Sequence, residues 1–337
     1  MQYRSVFITG GAGYCGSRLV PQLLDKGYKV SVYDLMLFGN DFLPSEDPNL
    51  NIIKGDIRDI DTLSDASKNH DVFINLACIS NDASFVLNEQ LSTSINMEAF
   101  EPMVLNAKKN GIKLFIYASS SSVYGVSSKK NVTEEHDLVP LTLYNKYKGQ
   151  CEPILRKHTN NSFKGVIFRP ATVCGFAPRQ RFDLSVNILT NFAINKSKIT
   201  VFGGDQLRPN LHIQDYCDVI ELFLNSPVDI INNQIFNVGY QNMSIIEIAN
   251  LVKKVVEDEY QKKDIEIVRT DSDDNRSYHI NSDKIKKILN FEPQYSVEYA
   301  IRELCKFFKK NYFPDSFENS KYFNVQQVKN SDISNHV

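Results

Sequence analysis

Short apolar runs rich in β-branched and aromatic residues recur through the first half of the chain: S5-V-F-I-T9, K29-V-S-V-Y33, N51-I-I-K-G55, D71-V-F-I-N-L76, K113-L-F-I-Y117 and G165-V-I-F-R169. Each has the length of a strand, and the stretches between them place apolar residues at helical spacing, as at Leu19, Leu23 and Leu24. Near-continuous apolar strands alternating with amphipathic helices predict a parallel sheet covered by crossover helices on both faces. From about Cys174 the pattern loosens, and helical periods return near 244–258 and 296–309. The expected architecture is a Rossmann-type, doubly wound α/β domain over residues 1–173, with a smaller substrate-binding lobe over 174–313. Part of 209–240 is expected to return to the first domain. Residues 314–337, rich in Asn, Ser and Asp, are expected as a mobile tail, with Phe317, Tyr322 and Phe323 available to dock it.

Composition narrows the function classes. In 337 residues, 42% are apolar, enough for a full core, and 38 basic against 40 acidic side chains leave a net charge of −2. That balance argues against a nucleic-acid surface. Six dispersed cysteines, without a Cys-x-x-Cys or a histidine at zinc spacing, predict buried thiols rather than disulfides or a metal site. No apolar run approaches a membrane span, and the N-terminus enters a strand directly without a leader pattern, so a cytoplasmic location is expected.

The first strand runs into T9-G-G-A-G-Y-C-G16, a Gly10-x-x-Gly13-x-x-Gly16 triplet. Glycines so placed permit a tight turn, close approach of the backbone to a pyrophosphate, and close packing of the next helix. A plain tight turn has the same residues. The second strand, however, ends in Asp34, about twenty residues on, where a carboxylate accepts hydrogen bonds from an adenosine ribose. No basic residue follows in Leu35-Met36-Leu37 to receive a 2′-phosphate, so NAD is preferred to NADP. Asp56, in G55-D-I-R58, fits either the adenine edge or a surface turn.

Downstream, Y117-A-S-S-S-S-V-Y-G125 ends a strand, and L143-Y-N-K-Y-K148 sets Tyr144 and Lys148 four apart, on one helix face. A nearby ammonium favours the phenolate of a tyrosine, which at its ordinary pKa near 10 is a weak base at neutral pH. Together with Phe168-Arg169-Pro170, these motifs resemble the extended short-chain dehydrogenase/reductase family, in its NAD-dependent nucleotide-sugar epimerase/dehydratase branch, from about residue 3 to about 310.

The resemblance implies catalysis by Ser120, Tyr144 and Lys148. It implies NAD contacts from Gly10, Gly13, Tyr14, Cys15, Gly16, Asp34, Asp56, Ile57, Leu76, Ala77, Ser119, Tyr144 and Lys148. Substrate contacts are implied for Ser80, Asn81, Ser120, Ser121, Asn187, Arg208 and Arg276. Arg179 and Arg181 stand as phosphate contacts or loop charges, and His212 as a structural residue. The implied substrate is a nucleotide-diphosphate sugar and the implied reaction is reversible oxidation at its C4, foremost as a 4-epimerase. A C4 dehydrogenase or 4-keto reductase is the alternative. A 4,6-dehydratase is disfavoured because Ser121 and Ser122 stand where dehydratases carry an Asp-Glu pair, and a non-catalytic dinucleotide sensor ranks last. Relatives commonly pair through two helices each, which implies a homodimer through helices at about 92–109 and 144–158. Their apolar positions Ile95, Phe100, Met103, Val104 and Ile154 fit that interface or the core equally.

Overall fold

All six apolar runs become strands of one sheet in the computed structural model, which describes residues 2–80, 82–127, 129, 131–271 and 277–331. They are β1 (Ser5–Thr9), β2 (Lys29–Asp34), β3 (Leu50–Lys54), β4 (Val72–Asn75), β5 (Leu114–Ala118) and β6 (Lys164–Pro170). After β7 (Thr172–Cys174), β8 (Lys198–Phe202) and β9 (Leu207–His212), the chain adds a seventh strand, β10 (Gln234–Val238), beside β6. The order β10-β6-β5-β4-β1-β2-β3 is parallel throughout and reverses direction of travel at β1/β4. This is the doubly wound arrangement, whose ligand crevice lies at the carboxyl ends of the strands at that reversal.

The strands read as unbroken apolar runs because both faces are covered. On one face Ile8, Val32, Ile74 and Ile116 pack with Leu19 and Leu23 of the helix Tyr14–Asp25 and with Val219 and Phe223 of the helix Ile213–Asn225. On the other, Phe7, Tyr33, Phe73, Phe115 and Tyr117 pack with Phe100, Met103 and Val104 of the helix Phe100–Lys109 and Leu155 of the helix Leu143–His158. Phe73 and Phe115 stack with ring centroids 4.9 Å apart. Ile95, Phe100, Met103 and Val104, which fitted a dimer face or the core, are buried in this second layer, and Ile154 packs against it half-buried.

The second lobe has its own core, in which Val186, Leu189, Ile248, Val252 and Ile301 join the helices Ser185–Lys196, Ile245–Tyr260 and Val297–Lys309. Two small sheets complete it: β11 (Gln241–Ser244) with β9 and β7, and β12 (Glu266–Thr270) with β8. Among the described residues no helix is long and apolar enough to cross a membrane. All six cysteines are free thiols.

The C-terminal segment differs from the expected mobile tail. Through residue 331 it is seated on the body, because its aromatics have apolar partners and its polar groups have fixed ones. Phe313 and Tyr322 pack on Phe182, Phe317 on Phe192, and Ser316 exchanges hydrogen bonds with Asn191. The short helix Asn324–Lys329 then reaches the first domain, where the Gln327 amide donates to the Leu37 carbonyl at 2.6 Å.

Candidate active site

A cavity of about 720 Å³ opens at the carboxyl ends of the strands, between the domain and the lobe. Gly10, Gly13, Tyr14, Cys15, Gly16, Asp34, Ile57, Leu76, Ala77, Ser80, Ser119, Ser120, Ser121, Tyr144, Lys148 and Arg208 all line it. Asp56 and Asn187 do not. Both oxygens of Asp56 accept from the Arg58 guanidinium, and Asn187 is fully buried behind the wall. Its amide accepts from Gly175 N–H and donates to the Tyr14 hydroxyl and the Arg181 carbonyl, so it ties the loop to the glycine-loop helix. Asn81 and Arg276 lie outside the described residues. His212 is buried with Nε2 3.1 Å from Glu303 and Nδ1 accepting from Gln214 N–H, a structural post.

The glycine loop has the geometry its composition predicts. Gly10 holds φ +76°, and a Cβ there would lie 2.5 Å from the Ala77 nitrogen; a Cβ on Gly16 would overlap the Gly11 carbonyl. Only hydrogen at both positions lets the loop lie between β4 and the helix. The helix N-terminus at Gly13 has no side-chain cap and no acid in its first turn, leaving its N–H groups available to an anion. Asp34 braces the loop from β2, its two oxygens accepting from Ala12 N–H at 3.0 Å and Met36 N–H at 2.9 Å. Burial raises its pKa, and the two backbone donors and Arg179 oppose the rise. The cradle, the open helix end and a half-buried carboxylate beside it fit a dinucleotide.

At the other end of the crevice the four serines have separate tasks. Ser119 donates to Glu152 at 2.6 Å. Ser120 begins the turn Ser121–Tyr124, its Oγ accepting from Ser122 N–H at 3.2 Å and lying 2.7 Å from the Ser122 hydroxyl. Ser122 in turn donates to Asn145 Oδ1 at 2.5 Å, and Ser121 meets the Tyr278 hydroxyl at 3.4 Å. The helix Leu143–His158 is N-capped by Thr142, whose hydroxyl also donates to Asp82, another cavity-lining residue. Lys148 is buried with Nζ donating to the Ala118 carbonyl at 2.8 Å, and lies 5.3 Å over the Tyr117 ring. Burial pushes the Tyr144 phenol well above its ordinary value, Cys78 and Asp82 add to that rise, and Arg181 opposes it.

Beneath the serines lies a buried network that sequence reasoning missed. Arg169 makes a two-pronged ion pair with Glu152 at 2.9 and 2.6 Å and donates to Tyr124 at 2.6 Å, which donates to Asn237 at 2.8 Å. The signal for Glu152 was present: residues 144, 148 and 152 follow each other at four-residue steps along one helix face.

Residues 6–239 match the model of the NAD dependent epimerase/dehydratase family. The chain belongs to that family. Its members are NAD-dependent, and NAD is the cofactor. The chain is 28% identical over 310 residues to the low-salt glycan biosynthesis protein Agl12 of Haloferax volcanii, spanning 89% of this chain and 96% of that one. The fold is similar to that of a UDP-glucose 4-epimerase from Thermotoga maritima solved with UDP-glucose, at TM-score 0.81 and 23% identity over 91% of this chain and 99% of that one. It is also similar to a dTDP-glucose 4,6-dehydratase from Streptomyces venezuelae solved with NAD, at TM-score 0.80 and 21% identity over 91% and 97%. Family membership leaves the particular reaction to the site.

Proposed function

We propose that this family member catalyses reversible oxidation at C4 of a nucleotide-diphosphate sugar, as a 4-epimerase. The carrying observation is one cavity lined by the glycine loop, by Ser120, Tyr144 and Lys148, and by Arg208.

In this reading Gly10, Gly13, Gly16 and Asp34 hold the pyrophosphate and adenosine ribose of NAD, and Lys148 holds the nicotinamide ribose. NAD supplies the hydride acceptor. Tyr144 removes the proton of the C4 hydroxyl while Ser120 hydrogen-bonds the same oxygen, stabilising the alkoxide character that develops there. Both Lys148 and the positive charge of the oxidised ring favour the phenolate that burial disfavours. Arg208, on the cavity wall, binds the substrate diphosphate, its guanidinium matching phosphate oxygens in pairs.

Ser121 and Ser122 carry no carboxylate, and the Ser122 hydroxyl is engaged by Ser120 and Asn145, which supports epimerisation over elimination of water. One observation favours the second reading, a 4,6-dehydratase: the Asp82 carboxylate lines the cavity, and its charge acts on Tyr144. The test is incubation with UDP-, GDP-, CDP- and dTDP-sugars followed by proton NMR. Interconversion of C4 epimers supports the proposal; a 4-keto-6-deoxy product that disappears in Asp82→Asn replaces it with dehydration. Absence of any product with every sugar overturns both.

A further inference from the structure

Arg179 is the anomaly of the cavity wall. Its guanidinium is buried, lies 3.4 Å over the Phe38 ring and donates to Asn324 Oδ1 at 2.6 Å. Nε has no hydrogen-bond partner, and among the described residues no carboxylate forms an ion pair with it. Its neighbour Arg181 is different, clamped by Asp183 at 2.8 Å and donating to Ser80 at 3.2 Å. Burial, with Arg181 beside it, pushes Arg179 down to about 9. A guanidinium does not give up its proton in a protein; Asp183 and Asp34 act on Arg179 through their charge without a direct ion pair, so this buried cation on a cavity wall is still matched to an anion from outside the chain.

Position identifies the anion. The Arg179 backbone N–H donates to Ser17 Oγ, in the first turn of the uncapped glycine-loop helix, and Phe38 follows the Asp34 strand. Arg179, Phe38 and Asp34 line the same cavity as Gly10, Gly13 and Gly16, and Ser17 lies in the helix that follows that loop. Asn324, which holds Arg179, comes from the C-terminal segment and bridges the two sides. It accepts from Arg179 in the lobe, donates to Ser80 in the domain at 2.7 Å, and its own N–H is held by Asp183 at 3.1 Å.

We propose that Arg179 binds the pyrophosphate of NAD from the lobe side, opposite the glycine loop, and that the C-terminal strap locks it there through Asn324, making the cofactor captive. A captive cofactor is what an epimerase requires, since the reduced form must return its hydride to the same sugar. The proposal rests on NAD as cofactor and is independent of which sugar reaction is correct.

Two measurements on the full chain test it. In the first, ADP and adenosine are titrated against wild type and Arg179→Gln. The variant is expected to bind ADP at least about tenfold more weakly, the loss of one charge-assisted contact, with adenosine unchanged. ADP binding unchanged, or ADP and adenosine weakened alike, overturns the phosphate contact. In the second, NADH release is followed by fluorescence with excess NAD as a trap. Asn324→Ala, which leaves the aromatic docking of Phe313 and Tyr322 in place, is expected to speed release about tenfold, since contacts of this kind act on the off-rate. Release at the wild-type rate overturns the strap, and this measurement decides alone should Arg179→Gln fail to fold. Captive NADH in a protein inert on every sugar overturns only the epimerase reading; rapid exchange in an active one overturns only this proposal.

Discussion

As the proposed base, Tyr144 depends on pH through its burial. The raised phenol pKa means that the fraction present as phenolate grows with pH. Hence kcat/KM is expected to climb through the alkaline range, and Lys148→Met to move that climb to still higher pH; a profile that falls with pH would contradict the assignment. Replacing Tyr144 by Phe removes the base without altering the cradle, so turnover should fall by about 10³ while NADH affinity, followed by fluorescence, stays near wild type. Glu152 belongs to support rather than chemistry. Breaking its buried pair with Arg169 by Glu152→Gln is expected to cost about 3–5 kcal/mol in urea unfolding, and the double change Glu152→Gln/Arg169→Met less. At this scale the place of Ser120, Tyr144 and Lys148 on one cavity wall was legible, because fixed offsets define it. Arg169 stood in a quoted motif without a role, because its partner becomes a partner only when β6 passes under the helix. Asn324 was beyond sequence reasoning, since its contact with Ser80 joins positions 244 residues apart.

Among elements, the six apolar strands and the helices over Ile245–Tyr260 and Val297–Lys309 were legible because burial on defined faces writes itself into the pattern. β9 was not. Leu207-Arg-Pro-Asn-Leu-His212 is a middle strand of a small sheet although it contains Pro209, which a central strand ordinarily excludes. Its pairing is antiparallel to β11 on one side and parallel to the short β7 on the other. The C-terminal segment was misleading for a related reason, since Asn and Ser that read as solvated coil are here hydrogen-bonded to Asn191, Asp183 and Arg179. The glycine loop offers the sharpest test of an element: Gly10→Ala places a methyl against Ala77 at a positive φ, so NADH affinity should drop at least about tenfold, with strain of about 1–3 kcal/mol seen in unfolding.

For the whole molecule, the parallel sheet and its crossover helices followed from alternation, but how the lobe meets the domain did not, because that contact is made by loops and by the strap. Cofactor binding across this junction couples it to stability. NAD at about a hundred times its Kd should add about 2.7 kcal/mol, read as a rise of several degrees in Tm, and Arg179→Gln should diminish the rise at equal NAD concentration. The last sheet strand, β10, is made only after the chain has left the sheet to begin the lobe, and it covers the free side of β6. A gene fragment stopped at residue 173 would therefore leave the Val166–Pro170 backbone donors and acceptors bare on an apolar edge, a template for sticking to its own copies. Recombinant dissection of the cofactor half should yield inclusion bodies, and a circular permutant keeping β10 should not.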